Sequence, residues 1–151
     1  MISGVTILAT EADTRAAGAA LAPLLKPGDV ILLDGPLGAG KTTLVRGLLQ
    51  ALGHVGEVPS PSFAIVQPYD DLALPLWHAD LYRIAHPSEL AELGLDSVLD
   101  DGVLVVEWPG HAGDGAWPPS ALALSLALDH DGARRLTAKP GQGWEERWPP
   151  R

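Results

Sequence analysis

The chain has 151 residues, 46% hydrophobic and 19% charged, which suits one globular core and excludes a disordered polypeptide. Ten basic residues against 19 acidic ones leave a formal charge of −9, and the three lysines (Lys26, Lys41, Lys139) are scattered, so a generic DNA- or RNA-binding face is excluded. With no cysteine, disulfides, zinc–thiolate sites and thiol catalysis are excluded together.

The opening residues MISGVTILATEADT show neither a basic leader nor a long apolar stretch. No signal peptide or membrane span is expected, and a cytoplasmic location is the default. Residues 5–8 are a short apolar run. Thr10 and Asp13 then approximate a capping box, opening a helix through Leu25 with Ala17, Leu21, Leu24 and Leu25 facing inward. Pro27 and Gly28 end it. Residues 30–33 are four consecutive apolar residues between two aspartates, the pattern of a strand buried on both faces. A glycine-rich loop follows, and Leu44, Leu48 and Leu52 at i, i+4 and i+8 predict a helix over 43–52.

The next stretch, 55–62, is broken by Pro59 and Pro61. Two strands are expected over 63–69 and 74–81, turning at Asp70 and Asp71, and a short helix over 88–93. Residues 103–106 form a second wholly apolar strand, ending at Glu107. Leu122, Leu124, Leu126 and Leu128 alternate strictly and predict a strand buried on one face. His130, Asp131 and Gly132 turn it into a partner strand over 134–139. The fold class expected is α/β, a single domain with a P-loop NTPase-like mixed β-sheet flanked by helices. Its P-loop ATPase domain would span 1–140. Residues 141–151 would form a C-terminal tail that either frays or packs its tryptophans, Trp144 and Trp148, on a surface.

Residues 35–42, GPLGAGKT, match the G-x-x-x-x-G-K-[ST] pattern in full. A loop that wraps a triphosphate must turn backbone N–H groups inward, and glycines permit the backbone angles this needs. Backbone groups of Gly35, Gly38, Ala39, Gly40 and Thr43 would cradle phosphates at the helix N-terminus. Lys41 would reach the β- and γ-phosphates, and the Thr42 hydroxyl would hold Mg²⁺. A metal-facing carboxylate is required at the end of a neighbouring strand, and Glu107 fits that place. Asp80 is the competing carboxylate, able to orient water or metal; Arg83 could serve as an internal finger or pair with Asp80. His78 shares a strand face with Asp80, Trp108 adjoins Glu107, and Asp34 reads as a turn residue. The chain contains no asparagine, so the N-K-x-D guanine-reading element is missing and ATP is favoured over GTP.

Taken together, GPLGAGKTT at 35–43, SPSF at 60–63, HADLYR at 78–83 and ELGLDSVLDDGVLVVEWP at 92–109 resemble, in order and spacing, the TsaE (YjeE) family. These are bacterial P-loop ATPases needed to make threonylcarbamoyladenosine in tRNA. The resemblance runs from about Thr10 to the Arg134 region, and the last two blocks carry it more specifically than the P-loop. It implies ATP with Mg²⁺, partnership with TsaD and TsaB, and contact with tRNA only through that assembly. By position, it implies Thr42 and Glu107 as metal residues, Asp80 as a further catalytic carboxylate beside Lys41, and 60–63 as a switch-like segment. Thr10 and Arg134 or Arg135 would lie near the base or ribose. Two departures stand out: Ser62 takes the place of a threonine but keeps the hydroxyl, and Pro68 stands where the family often has an acid. Two other classes share parts of the pattern. A small-molecule kinase would also need an arginine-rich lid, which the chain lacks; a non-catalytic nucleotide-gated binding module would tolerate loss of both carboxylates.

Overall fold

The computed structural model describes residues 4–58, 66–84, 86, 94–113, 115–144 and 146–149, without the side chain of Asp96. Seven strands, β1 (Gly4–Leu8), β2 (Val30–Asp34), β3 (Val66–Tyr69), β4 (Leu76–Asp80), β5 (Val103–Glu107), β6 (Leu122–Leu128) and β7 (Arg134–Lys139), form one sheet in the order β1-β7-β6-β2-β5-β4-β3. The central strands β6, β2, β5 and β4 run parallel; β1, β7 and β3 pair antiparallel at the two sides. This is the single-domain mixed α/β sheet that the sequence predicts. The two wholly apolar runs become its most central strands, because only a strand covered on both faces can be apolar throughout.

Two helices, α1 (Glu11–Leu21) and α2 (Lys41–Ala51), pack on one face of the sheet. Leu21, Leu44, Val45, Leu48 and Leu49 are buried there against Ile31, Leu33, Val105, Leu122 and Leu124. The opposite face is covered by Leu95 and Val98 of a 3-10 turn, by Ile84, and by Ala112, which lie over Val30, Leu104 and Val106. Thr10 caps α1 as expected: its hydroxyl accepts from the Asp13 N–H at 3.2 Å, and Asp13 accepts from the Thr10 N–H at 3.1 Å. The helix stops at Leu21 rather than Leu25, because Pro23 converts its last turn into a 3-10 turn, Ala22–Leu24.

The α1–α2 crossing is closer than leucine spacing alone suggests. A methyl on Gly18 would overlap the Leu44 backbone carbonyl, and one on Gly47 would overlap the Arg15 carbonyl. The pair of glycines lets the two backbones touch and seats the start of α2 against α1.

Other differences from the sequence reading are local. Helix α2 begins at Lys41, two residues before the predicted start, so Lys41 and Thr42 belong to its first turn. Leu128, expected inside by alternation, is 59% exposed because β6 runs past the end of the core there. Strand β3 is described from Val66 and β4 begins at Leu76; the predicted helix 88–93 and the 60–63 segment lie outside the described residues. The described residues after 140 include packed ones. Trp144 is fully buried in the main core and donates to the Ser120 carbonyl at 2.9 Å, while Arg147 grips the Asp29 carboxylate with two hydrogen bonds, at 2.6 and 3.1 Å. No helix among the described residues is long and apolar enough to cross a membrane.

Candidate functional site

The glycine-rich loop leaves the carboxyl end of β2, a central parallel strand, where open α/β sheets place ligands. Asp34 accepts from the Gly35 N–H at 2.9 Å and starts the turn, the role the sequence assigned it. Gly35 has φ 147°, and its α-carbon is backed by the Leu126 carbonyl, so no side chain fits there. Gly40 occupies the N-cap of α2 at φ 104°, a left-handed conformation that a residue with a side chain resists. No side chain caps this helix. The first-turn N–H groups of Lys41, Thr42 and Thr43 have no partner within the helix and sit at its positive dipole end. Such an N-terminus favours an anion.

The carboxylates arrive from two other strands by register. β4 and β5 pair in parallel with Asp80 beside Glu107 and His78 beside Val105. All four side chains therefore lie on the sheet face that α2 covers. A cavity of about 480 Å³ opens between these strand ends and the loop, bordered by Lys41, Thr42, Asp80, Arg83, Glu107 and Trp108. Gly38, Gly40, Thr43 and Tyr82 also reach it. Five of the expected site residues, Lys41, Thr42, Thr43, Asp80 and Glu107, thus share one cavity with Gly38 and Gly40.

Lys41 is buried, and its ammonium donates to the Gly35 carbonyl at 2.6 Å. It also lies 3.7 Å from the centre of the Trp108 ring. Burial lowers its pKa below the usual 10.5, and Glu107, Asp80 and Asp34, in that order, partly oppose the shift. Trp108 reaches the lysine because its backbone takes a left-handed conformation (φ 57°, ψ 50°) at the end of β5. Its ring is tilted against Tyr82 at 5.0 Å and His111 at 5.7 Å, an aromatic wall that no sequence pattern announces.

Glu107 is 3% exposed and His78 is 0% exposed; His78 Nε2 lies 2.5 Å from Glu107 Oε2. Asp80 accepts from the Tyr82 N–H at 2.9 Å, which turns the chain sharply after β4. Among the described residues, no group of three or more His, Cys, Asp or Glu side chains could hold a metal alone. A cation at Thr42 and Glu107 would have to take its other ligands from phosphate and water, as Mg²⁺ does beside nucleotides.

Thr10 and Arg134 form a second, smaller concavity on the other side of the loop, together with Glu11, Thr14 and Gly132. Arg134 lies on the helix-covered face of β7. Its guanidinium donates to the Ala39 carbonyl at 3.0 Å and the Gly38 carbonyl at 3.1 Å, gripping the loop from outside. Ala39 is buried beneath it. Arg135 points to the opposite face and pairs with Asp129 at 3.2 Å, so Arg134 is the arginine that borders this concavity.

A glycine-rich loop between a central parallel strand and a helix, with a buried lysine and two strand-end carboxylates, defines the P-loop NTPase-like class of fold. Comparison with known proteins makes the assignment particular. The family model for the threonylcarbamoyl adenosine biosynthesis protein TsaE matches residues 8–136, and the chain belongs to that family. Among relatives is the tRNA threonylcarbamoyladenosine biosynthesis protein TsaE of Bacillus subtilis, 40% identical over 126 residues, which covers 83% of this chain and 78% of that protein. The protein of the same name from Nostoc is 40% identical over 139 residues, covering 88% and 83%. The crystal structure of Bacillus subtilis YdiB superposes with a TM-score of 0.81 at 33% identity, over 97% of this chain and 90% of that one.

Proposed function

We propose that the protein is a Mg²⁺-dependent ATPase that supports threonylcarbamoyladenosine modification of tRNA from within an assembly with TsaD and TsaB, in the cytoplasm. The observation that carries this reading is the convergence of Lys41, Asp80 and Glu107 on one cavity at the N-terminus of α2. Family membership supports the pathway.

In this reading the α2 N-terminus and the backbone of Gly35, Gly38, Ala39 and Gly40 bind the phosphates. Lys41 exchanges the Gly35 carbonyl for a phosphate oxygen, and so needs no new cation brought into the site. Thr42 and Glu107 would hold Mg²⁺, which supplies charge neutralisation on the β- and γ-phosphate oxygens. Asp80, fixed by the Tyr82 N–H, faces the same cavity and orients the attacking water. Arg134 and Thr10 border the ribose and base side, with Arg134 bracing the loop. The net charge of −9 fits a chain that reaches tRNA through protein partners rather than by its own surface.

Glu107→Gln and Asp80→Asn should retain ATP binding and lose hydrolysis, measured as phosphate release with TsaD and TsaB present. Retained hydrolysis in both variants would favour a non-catalytic role for the carboxylates, and transfer of the γ-phosphoryl group to a small acceptor would favour a kinase.

A further inference from the structure

His78 is the most deeply buried polar side chain of the molecule's described residues, and the mechanism above does not use it. It stands one pleat behind Asp80 on β4, and reaches diagonally across to the end of β5. Its Nε2 meets Glu107 Oε2 at 2.5 Å, while its Nδ1 is buried without a hydrogen-bond partner among the described residues. An N–H at Nδ1 would be a buried donor with no acceptor, which is costly. A hydrogen on Nε2 meets a carboxylate instead. The ring therefore carries a hydrogen on Nε2 and donates it to Glu107.

The consequence falls on the carboxylate. Glu107 ends a strand beside Asp80, Lys41 and a cavity, and without a partner its side chain has several rotamers to visit. Gripping Oε2 from behind restricts that choice, while the residue still borders the cavity. Carboxylates at metal sites depend on such supporting hydrogen bonds. We infer that His78 is a positioning residue: its Nε2–H fixes Glu107 so that the carboxylate meets the nucleotide-bound divalent cation in a single orientation. This rests on the reading of Glu107 as a metal-facing acid.

The test uses the Mn²⁺ affinity of the full-length protein carrying β,γ-imido ATP, measured by electron paramagnetic resonance, with metal-free affinity for the same nucleotide as control. His78→Gln keeps an N–H near the position of Nε2; His78→Asn places its amide too far from Glu107 to reach it. His78→Asn should bind Mn²⁺ about tenfold or more weakly, the usual loss when a supporting partner is removed. His78→Gln should stay within about threefold of wild type on the same scale, and metal-free nucleotide affinity should be the same in both His78 variants. Wild-type Mn²⁺ affinity in His78→Asn, beside a loss in Glu107→Gln, would overturn the positioning role and leave the metal role of Glu107 intact. A Glu107→Gln variant that binds Mn²⁺ like wild type would overturn the metal role itself. Equal losses in His78→Asn and His78→Gln would also overturn the inference, since the donor would then not be what matters. Should His78→Asn not fold, ¹⁵N spectra of the wild-type ring decide: a protonated Nε2 supports the assignment, and a bare Nε2 overturns it.

Discussion

Replacing Lys41 with methionine should separate binding from stability, because the lysine serves the first at the expense of the second. Two unit charges about 4 Å apart attract by ~4 kcal/mol at an effective dielectric near 20. Two phosphate charges within that reach would contribute about 8 kcal/mol on the same basis. The lysine must first leave the Gly35 carbonyl, a charged hydrogen bond of about 1.5–3 kcal/mol, and the Trp108 ring, a contact of about 1–2 kcal/mol. The net is ~4 kcal/mol, or roughly a thousandfold in Kd. The empty fold should lose nothing. Burial disfavours the ammonium more strongly than Glu107, Asp80 and Asp34 favour it, which lowers its pKa, and Gly35 is only half-buried, so that water can take up the carbonyl that the lysine leaves. Calorimetric titration with ATP and thermal melting of Lys41→Met without nucleotide check both halves. A change in Kd below about threefold, under 1 kcal/mol, would refute the phosphate role. A melting temperature well below wild type would refute the claim that the buried cation strains the empty site.

Gly47→Ala should destabilise the fold by about 2 kcal/mol, because the added methyl must push α1 away at the Arg15 carbonyl. Thermal melting reads this, and an unchanged midpoint would show that the helices are not in backbone contact. Tyr69 is buried with its hydroxyl unpartnered among the described residues, so Tyr69→Phe should raise stability at neutral pH by ~1 kcal/mol in denaturant titrations. Burial also raises the Tyr69 pKa above 10.0. Above that pH the unfolded chain gives up its phenolic proton first, so wild-type stability falls as pH rises from 10.0 toward the folded-state value. Tyr69→Phe should lack that part of the alkaline loss, and an identical pH profile would contradict it.

What was legible in the sequence was what is local in the chain. The glycine-rich loop, its flanking strand and helix, and the Thr10 cap each depend on residues within one or two turns of one another. The apolar runs ending at Asp34 and Glu107 located the sheet centre because double-sided burial leaves a mark in composition. What was hidden depends on pairing between distant segments. His78 and Glu107 are 29 residues apart, and only the parallel register of β4 and β5 brings them together. Arg134 reaches Ala39 across 95 residues, and Arg147 reaches Asp29 across 118. No periodicity in the last residues announces that Trp144 completes the core. Leucine alternation misled at Leu128, since a strand can outrun the layer that covers it. Trp108 over Lys41 follows from a left-handed backbone at a tryptophan, which no residue propensity suggests.

The convergence of the loop lysine with two strand-end carboxylates is tested most directly by one measurement, the rate of ATP hydrolysis as TsaD and TsaB are titrated in, for wild type and Glu107→Gln side by side. Wild type should hydrolyse ATP slowly alone and at least about tenfold faster with both partners, a barrier lowered by some 1.4 kcal/mol, while Glu107→Gln stays at the background rate throughout. A flat wild-type titration, or equal stimulation of Glu107→Gln, would contradict the assignment of this site as a partner-dependent ATPase.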